Sequence, residues 1–346
     1  MYDHADMVTV GIIGASGYTG AELLRLAAQH PDFDVVYATG DTQAGTAAAE
    51  LYPSLAGAYP RLMFESFEVE RAQGLDLVFL GLPHAASMAL APELVSHVGC
   101  VVDLSAAYRL RDRTQYPAYY GFEHDQPDLL ADAVYGLPEK YRNELKGAGL
   151  VATPGCYVTA ATLALEPLVA AGAIETHGVI VDAASGVSGA GRKLSHESLF
   201  ATVDDNFTAY GLLDHRHTPE MEQEIGAQIL FTPHLAPMSR GILATCYARP
   251  VAGPAPTTQS LLDVYRNRYA GEPFIVVTAD SPSTKATLGS NSVHVTARYD
   301  ERTGFVIAIA ALDNLAKGAS GGAVQSANVA LGLAETAGLS RVGLMP

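Results

Sequence analysis

VTVGIIGASGYTG, residues 8 to 20, joins a predicted strand to a predicted helix through a turn that contains three glycines. The apolar run 8–13 predicts a buried strand, and the Ala/Leu-rich run 21–28 predicts a helix. Glycines let the backbone of such a turn approach a pyrophosphate, and the helix N-terminus stabilises its charge. This order of elements predicts a dinucleotide-binding domain, although the spacing GxxGxxG also suits a purely structural turn.

Further strands and helices extend this pattern towards an open parallel sheet. The runs 75–80 and 100–105 suit buried strands, and a helix is predicted between them. Ligands of such sheets bind at the carboxyl ends of the strands, where Pro83, His84 and Ser105 fall. We therefore place Pro83 and His84 beside the coenzyme and give His84 no acid–base role.

The end of the second predicted strand, 33–39, is where the adenosine ribose of a dinucleotide would be recognised. Asp41 can accept a hydrogen bond from a ribose 2′-hydroxyl, which favours NAD. Thr39 and Thr42 are neutral and tolerate the 2′-phosphate of NADP, and Asp41 also suits a solvated turn. The residues themselves leave the choice of coenzyme open.

A cysteine at a helix start is the strongest candidate for chemistry. Cys156 follows a predicted strand and a Pro-Gly turn, at the beginning of a helical run. We expect that helix to extend from Thr159 to Leu168 and to be closed by Pro167 and Gly172. Because the N–H groups of a helix start stabilise a thiolate, Cys156 is a candidate nucleophile.

The other two cysteines, Cys100 and Cys246, lie in apolar runs where a buried strand position explains them. A free cysteine is generally a small buried hydrophobe, which is also the alternative interpretation of Cys156. Three cysteines at wide spacing indicate neither a disulfide framework nor a metal site.

The charge balance excludes some partners and makes local cations informative. Lys and Arg number 21 against 37 Asp and Glu, a net charge of −16, which argues against binding to nucleic acid or to an anionic membrane. An anionic substrate therefore needs local cations. Arg109 follows a strand end and can bind a phosphate or carboxylate in a bidentate manner, whereas Arg111 and Arg113 suit a solvated loop.

Two later segments could contribute to a site. The Gly/Ser loop 185–193 can hold an anion with backbone N–H groups, hydroxyls and Lys193, although it equally suits a flexible surface loop. His215 and His217 stand two residues apart and need not share a face, so we expect no metal there. An acid–base role fits this pair better.

Length and composition predict two domains. The chain has 346 residues, of which 49% are hydrophobic, enough for more than one core. Strands and helices alternate irregularly after the cysteine helix, which predicts an α+β domain. An Ala-rich helix beyond Asn314 is expected to return to the first domain, so the predicted domains are 1–155 with 314–346, and 156–313. No long apolar run reads as a membrane span, and Asp3 and Asp6 replace a basic leader, so we expect a cytoplasmic protein.

From Val8 to Pro346 the chain resembles the N-acetyl-γ-glutamyl-phosphate reductases of arginine biosynthesis. The resemblance depends on short motifs: GASGYTG at 14–20, LPH at 82–84, PGCYVTA at 154–160, SGVSGAGRK at 185–193, HRHTPE at 215–220, RGIL at 240–243 and DNLAKGASGGAVQ at 313–325. It implies a Rossmann domain completed by the C-terminal helix, beside an α+β substrate and dimerisation domain. It also implies reduction of an acyl phosphate with NADPH through a cysteine thioester.

The resemblance implies roles for individual residues. Cys156 is the expected nucleophile, His217 the acid–base group and His215 a substrate contact, and exchange of the two histidine roles is the alternative. The other expected substrate contacts are Arg109, Ser188, Lys193 and Arg240. The expected coenzyme contacts are Gly14, Ser16, Gly17, Tyr18, Thr19, Gly20, Thr39, Pro83, Ser185, Gly186 and Asn314. We expect a homodimer or homotetramer.

Two alternatives remain at this stage. A related acyl-phosphate reductase, of the aspartate-semialdehyde dehydrogenase or aminoadipyl-phosphate reductase type, would share the mechanism with another side chain bound. A non-catalytic nucleotide sensor could use the same fold. The presence of both Cys156 and His217 disfavours the sensor.

Overall fold

The structure, a computed structural model, describes residues 7–346 apart from the side chain of Glu197. Asp3 and Asp6, on which the expectation about a leader depended, lie outside the described residues. The chain divides into two units, one that runs to Pro154 and includes Ala319–Leu339, and one that comprises Gly155–Gly318 and Ser340–Pro346.

The domain assignment of the final residues, 340–346, differs from the one predicted from the sequence, which placed them in the nucleotide-binding domain. They belong to the second unit, where backbone hydrogen bonds hold them. The N–H of Asn291 donates to the carbonyl of Ser340 at 2.8 Å, and the N–H of Leu344 donates to the carbonyl of Leu288 at 2.7 Å.

The first unit contains a parallel sheet, as the repeated strand and helix pattern predicts. Its strands are β1 (Val8–Ile13), β2 (Phe33–Ala38), β3 (Leu77–Leu80), β4 (Cys100–Asp103), β5 (Val134–Tyr135) and β6 (Leu150–Ala152). Their order is β2-β1-β3-β4-β6-β5, and every neighbouring pair is parallel. The order reverses between β1 and β3, the kind of position where nucleotides bind in such sheets.

Helices cover both faces of this sheet, so most positions of its strands are apolar. The helices are α1 (Tyr18–Ala27), α2 (Ala48–Leu51), α3 (Val69–Ala72), α4 (His84–Val95), α5 (Tyr116–Tyr120), α6 (Pro127–Asp132), α7 (Pro138–Leu145) and a C-terminal helix (Gly321–Ala330). Leu23 and Leu24 of α1 share one core with Phe79 and Ala327, whereas α4 packs on the other face. The C-terminal helix therefore completes the first unit, as expected.

The second unit contains a mixed sheet and is an α+β fold. Its strands are β7 (Val179–Gly186), β8 (Thr208–Ala209), β9 (Ile229–Ala236), β10 (Ile242–Ala248), β11 (Ile275–Val277), β12 (Val293–Asp300) and β13 (Phe305–Leu312), in the order β11-β12-β13-β10-β7-β9-β8. Its helices are α8 (Cys156–Ala170), α9 (Phe200–Val203), α10 (Thr218–Ile225), α11 (Thr258–Arg268) and α12 (Thr284–Thr287). Strict alternation of buried residues along β10 places Cys246 in the core.

Helix α8 is longer than predicted, and the expectation that Pro167 closes it was wrong. Pro167 lies inside the helix. A proline there leaves the carbonyl of Leu163 without its helical donor. The hydroxyl of Tyr269 donates to that carbonyl at 2.7 Å, which compensates for the missing bond. Since α8 is buried along most of its length, Cys156 lies at the end of a rigid element.

Candidate active site

Cys156 is the first residue of α8, and Gly155 is the N-cap residue. The first turn of α8 carries no acidic side chain of its own. Cys156 is partly exposed, whereas Cys100 and Cys246 are buried. Burial raises the pKa of Cys100 to about 12 and also raises the pKa of Cys246. Of the three, Cys156 is the thiol presented for chemistry.

The ring of His217 lies directly against Gly155. A Cβ built on Gly155 would be 2.6 Å from His217 Nε2, which is closer than any side chain can approach. The φ angle of Gly155 is −64°, open to every residue, so the glycine is required by the space that the imidazole occupies. His217 is buried and is the N-cap residue of α10. The structure thus brings together Cys156 and His217, which stand far apart in the sequence.

Glu220 joins this group, although the sequence analysis assigned it no role. Its side chain is fully buried in the first turn of α10, and its Oε1 accepts a hydrogen bond from the N–H of Gly155 at 2.9 Å. His217 and Glu220 are three residues apart and therefore face the same side of the helix. That spacing, inside the HRHTPE motif, was the signal from which the contact could have been predicted.

His215 lies beside His217 in a state that disfavours proton transfer. Its Nδ1 accepts a hydrogen bond from the N–H of His217 at 3.1 Å, and the two rings are 4.8 Å apart. Burial, with a smaller contribution from the charge of Arg216, lowers the pKa of His215 to about 4. His215 is therefore a neutral imidazole near pH 7, with its hydrogen on Nε2. Such a ring is suited to donate a hydrogen bond to a substrate.

Two tyrosines, which the sequence analysis did not single out, hold the histidines. The ring of Tyr157 is 5.9 Å from that of His215 and 6.0 Å from that of His217. Its hydroxyl donates to the carbonyl of His234 at 2.9 Å and accepts from the hydroxyl of Tyr210 at 3.2 Å. Burial raises the pKa of Tyr157 and raises that of Tyr210 to about 12, so both phenols stay neutral. They are packing and hydrogen-bonding groups around the imidazoles.

The Gly/Ser loop after β7 uses much of its backbone for structure. The N–H groups of Gly186, Val187 and Ser188 donate to the carbonyls of Gly241, Met238 and Ser239, at 2.9, 2.9 and 3.2 Å. These groups are therefore not directed at an anion, contrary to the expectation for this part of the loop. Ser185 is buried, whereas Lys193 is exposed.

Arg240 and Asn314 meet this loop within the second unit. The guanidinium of Arg240 donates through Nε and Nη2 to Oδ1 of Asp313, at 3.1 and 3.0 Å. Asn314 accepts from the N–H of Gly241 at 2.7 Å and donates to Oγ of Ser188 at 2.9 Å. Asn314 therefore bridges two loops of the second unit, whereas the sequence analysis placed it in the other domain.

The turn between β1 and α1 in the first unit requires glycine at two positions. Gly14 has a φ of 87°, and a Cβ on it would lie 2.4 Å from the carbonyl oxygen of Gly81. A Cβ on Gly20 would lie 2.4 Å from Cα of Ala15, so this glycine permits close packing of α1 on its turn. Gly17 is the N-cap residue of α1, whose first turn carries no acidic side chain. These residues fit a dinucleotide phosphate.

The neighbouring predicted coenzyme contacts support this turn from within the first unit. Oγ1 of Thr39 is buried and accepts from the N–H of Gly14 at 3.0 Å, and Oγ of Ser16 donates to the carbonyl of Gly40 at 3.1 Å. Tyr18 is exposed, and Thr19 follows it in the first turn of α1. Pro83 is the N-cap residue of α4.

Arg109 is buried in the loop after β4, six residues beyond the end of that strand at Asp103. Its Nη2 donates to the carbonyl of Leu104 at 2.9 Å. The carboxyl of Asp103 is also fully buried, and burial raises its pKa, an effect opposed by hydrogen bonds from Ser105 and by the charge of Arg109. His84 accepts from the N–H of Ala106 through Nδ1 at 3.0 Å. In the first unit Arg109 therefore stabilises its own loop.

Residues 7–346 are the part of the chain that the structure describes. In this part of the chain no three His, Cys, Asp or Glu side chains are grouped as metal ligands would be. The same residues include no helix with the length and apolar character needed to cross a membrane.

Comparisons with known proteins agree with this two-part architecture. The family model described as semialdehyde dehydrogenase, NAD binding domain, matches residues 9–148, and the model described as semialdehyde dehydrogenase, dimerisation domain, matches residues 156–314. An N-acetyl-gamma-glutamyl-phosphate reductase of Symbiobacterium thermophilum is 47% identical over 97% of this chain and 98% of its own. The protein of the same name from Pelobacter propionicus is also 47% identical, over 98% and 100%.

Solved structures share the fold at low sequence identity. Aspartate semialdehyde dehydrogenase II of Vibrio cholerae, complexed with ASA, superposes with a TM-score of 0.69 at 17% identity, over 94% of this chain and 98% of that one. Aspartate semialdehyde dehydrogenase with NADP from Candida albicans gives a TM-score of 0.65 at 16% identity, over 93% and 98%. At this identity the likeness shows the fold alone.

Proposed function

Since the chain belongs to the N-acetyl-γ-glutamyl-phosphate reductase family, we propose that it reduces N-acetyl-γ-glutamyl phosphate with NADPH to N-acetylglutamate 5-semialdehyde and phosphate. The observation that carries the proposal is the contact of the His217 ring with Gly155, at the helix start that presents Cys156. A nucleophile and an acid–base group in one place are what an acyl transfer requires.

In the proposed mechanism Cys156 attacks the acyl carbon of the substrate. The carbon–oxygen bond to phosphate breaks, phosphate leaves, and the acyl group is held as a thioester on Sγ. A thiolate at a helix N-terminus is stabilised for this attack. The Gly14–Gly20 turn would hold NADPH, which would supply a hydride for the acyl carbon, and Cys156 would then leave as the thiolate.

His217 is the proposed acid–base group, because the net reduction consumes one proton. Its ring is fixed by α10 and by Gly155, and Glu220 fixes the backbone on which it packs. His215, neutral near pH 7, is the proposed hydrogen-bond donor to the substrate.

We propose NADPH in preference to NADH, on the strength of the family resemblance. Asp41, the residue that favoured NAD, is exposed in a short turn at a φ of 46°, so its carboxylate can be solvated. A higher kcat/KM with NADH would contradict this choice. We also propose that the protein forms a homo-oligomer through residues 156–314, the range matched by the dimerisation-domain model.

The reverse reaction tests the reaction class. Oxidation of N-acetylglutamate 5-semialdehyde with NADP⁺ should depend on added phosphate, because the leaving group of reduction is the nucleophile of oxidation. Arsenate should replace phosphate. Oxidation without phosphate would indicate a hydrolytic aldehyde dehydrogenase instead, and a higher rate with aspartate semialdehyde would indicate a related acyl-phosphate reductase.

A further inference from the structure

Asp313 is a buried carboxylate on which several segments of the second unit converge. Its side chain is 0% exposed, and its Oδ1 accepts from Nε and Nη2 of Arg240 at 3.1 and 3.0 Å. The N–H groups of Leu315 and Ala316 donate to the same oxygen at 2.9 Å each. Oδ2 accepts from the N–H of Gly289 at 2.7 Å. The carboxylate is therefore held from several directions.

The partner of this carboxylate reaches the surface. The side chain of Arg240 is 22% exposed, although Asp313 is fully buried. Binding along the Nε and Nη2 edge fixes the plane of a guanidinium, which is otherwise free to reorient because the arginine side chain is long and flexible. The geometry thus sets the direction in which Arg240 presents its charge, in a chain of net charge −16.

The same residue is connected to the cysteine. Gly318 lies in the π-helical turn Ala316–Ser320. Its N–H donates to the main-chain carbonyl of Asp313, five residues earlier in the chain, at 3.0 Å. A Cβ on Gly318 would lie 3.0 Å from Cβ of Cys156, so this turn packs against the nucleophile. Single π-helical turns are frequent at functional sites. Asp313 therefore lies between Arg240 and Cys156 in the network of contacts.

We propose that Asp313 is a positioning residue that orients Arg240 as the anchor for an anionic group of the substrate. The inference rests on the proposed function and adds to it the residue that acts through Arg240. Because Asp313 has no exposed surface, it acts on the substrate through the guanidinium and not by contact. Loss of its charge leaves the guanidinium without the fixed acceptor that sets its direction.

Asp313→Asn tests the proposal, with Asp300→Asn, at the last residue of β12, as a matched change. The KM for the acyl phosphate should rise about 10- to 100-fold in Asp313→Asn, the range expected for one charge-assisted hydrogen bond. The KM for NADPH should be unchanged, and Asp300→Asn should resemble the wild type. A loss of stability without a change in substrate KM, or equal changes in both KM values, would overturn the proposal.

A double-mutant cycle separates positioning from general support. If Asp313 acts through Arg240, Asp313→Asn should have little further effect on substrate KM in an Arg240→Gln background. Equal effects in both backgrounds would refute the inference while leaving the proposed function standing. Wild-type protein without acyl-phosphate reduction would refute the proposed function itself, and the inference with it.

Asp313→Glu covers the case in which the asparagine variant does not fold. It keeps the charge but moves the carboxylate by one methylene, so it should show the same selective rise in substrate KM. If neither variant yields folded protein, Asp313 is a structural residue and the proposal fails.

Discussion

His215 predicts a pH-dependent loss of stability that can be assigned to one residue. Burial lowers its pKa from 6.5 to about 4 in the folded protein. Between those values the unfolded chain binds the proton more strongly than the folded one, so the free energy of unfolding falls as the pH falls. The contribution of His215 is complete above about pH 6.5 and is lost as the pH approaches 4.

The size of the effect follows from the two pKa values. Each pKa unit corresponds to about 1.4 kcal/mol, so the complete shift amounts to roughly 3 kcal/mol. Between pH 7 and pH 5 the linkage relation gives a loss of at most roughly 2 kcal/mol, since the part of the ring in contact with water is screened. Replacement by glutamine removes the titrating group and retains an oxygen that can accept from the N–H of His217.

The assay is urea unfolding followed by circular dichroism at pH 7 and pH 5, for wild type, His215→Gln and the control His177→Gln. His177 is exposed, so its variant should retain the wild-type pH dependence. Burial also lowers the pKa values of His30, His124 and His294, but these groups titrate in all three proteins and cancel in the comparison. Identical losses from pH 7 to pH 5 in wild type and His215→Gln would refute the reasoning.

Three further predictions concern the cysteine and its helix. Gly155→Ala places a methyl group against the His217 imidazole and should lower kcat about 10²- to 10⁴-fold, with coenzyme binding retained. Gly149→Ala, at a site with open space, is the control. A Gly155→Ala variant with wild-type activity would contradict the contact. Iodoacetamide should label Cys156 in the folded protein before either buried cysteine, as measured by peptide mass spectrometry. Cys156→Ser should bind NADPH without turnover. Earlier labelling of Cys100 or Cys246 would contradict the assignment of Cys156 as the nucleophile. Tyr269→Phe should lower the free energy of unfolding by about 1–3 kcal/mol, because the Leu163 carbonyl loses its donor. Tyr265→Phe should lower the free energy of unfolding by less, because the Ala164 carbonyl that it releases keeps its regular helical N–H donor. Equal losses of unfolding free energy for the two variants in urea would contradict this account of Pro167.

Local patterns were sufficient for the elements and for placing Cys156 at a helix start. A strand, a glycine turn and a helix could be read from residues 8 to 28, because backbone conformation there depends on near neighbours. The same holds for Cys156, whose Pro-Gly turn and helical run are adjacent in the chain. Helix α1 begins at Tyr18, earlier than the apolar run suggested, since glycine and threonine are tolerated in a first turn when packing supports it.

Contacts between distant segments were decided by the tertiary structure alone. The bond from Gly155 to Glu220 spans 65 residues, the pairing of Arg240 with Asp313 spans 73, and the bond from Tyr269 to Leu163 spans 106. Burial then changes the chemistry of what it encloses, as it does for His215. A sequence identifies which side chains are able to donate, accept or titrate. Which of them meet, and how much water is removed around them, depends on how strands and helices from separate parts of the chain pack together.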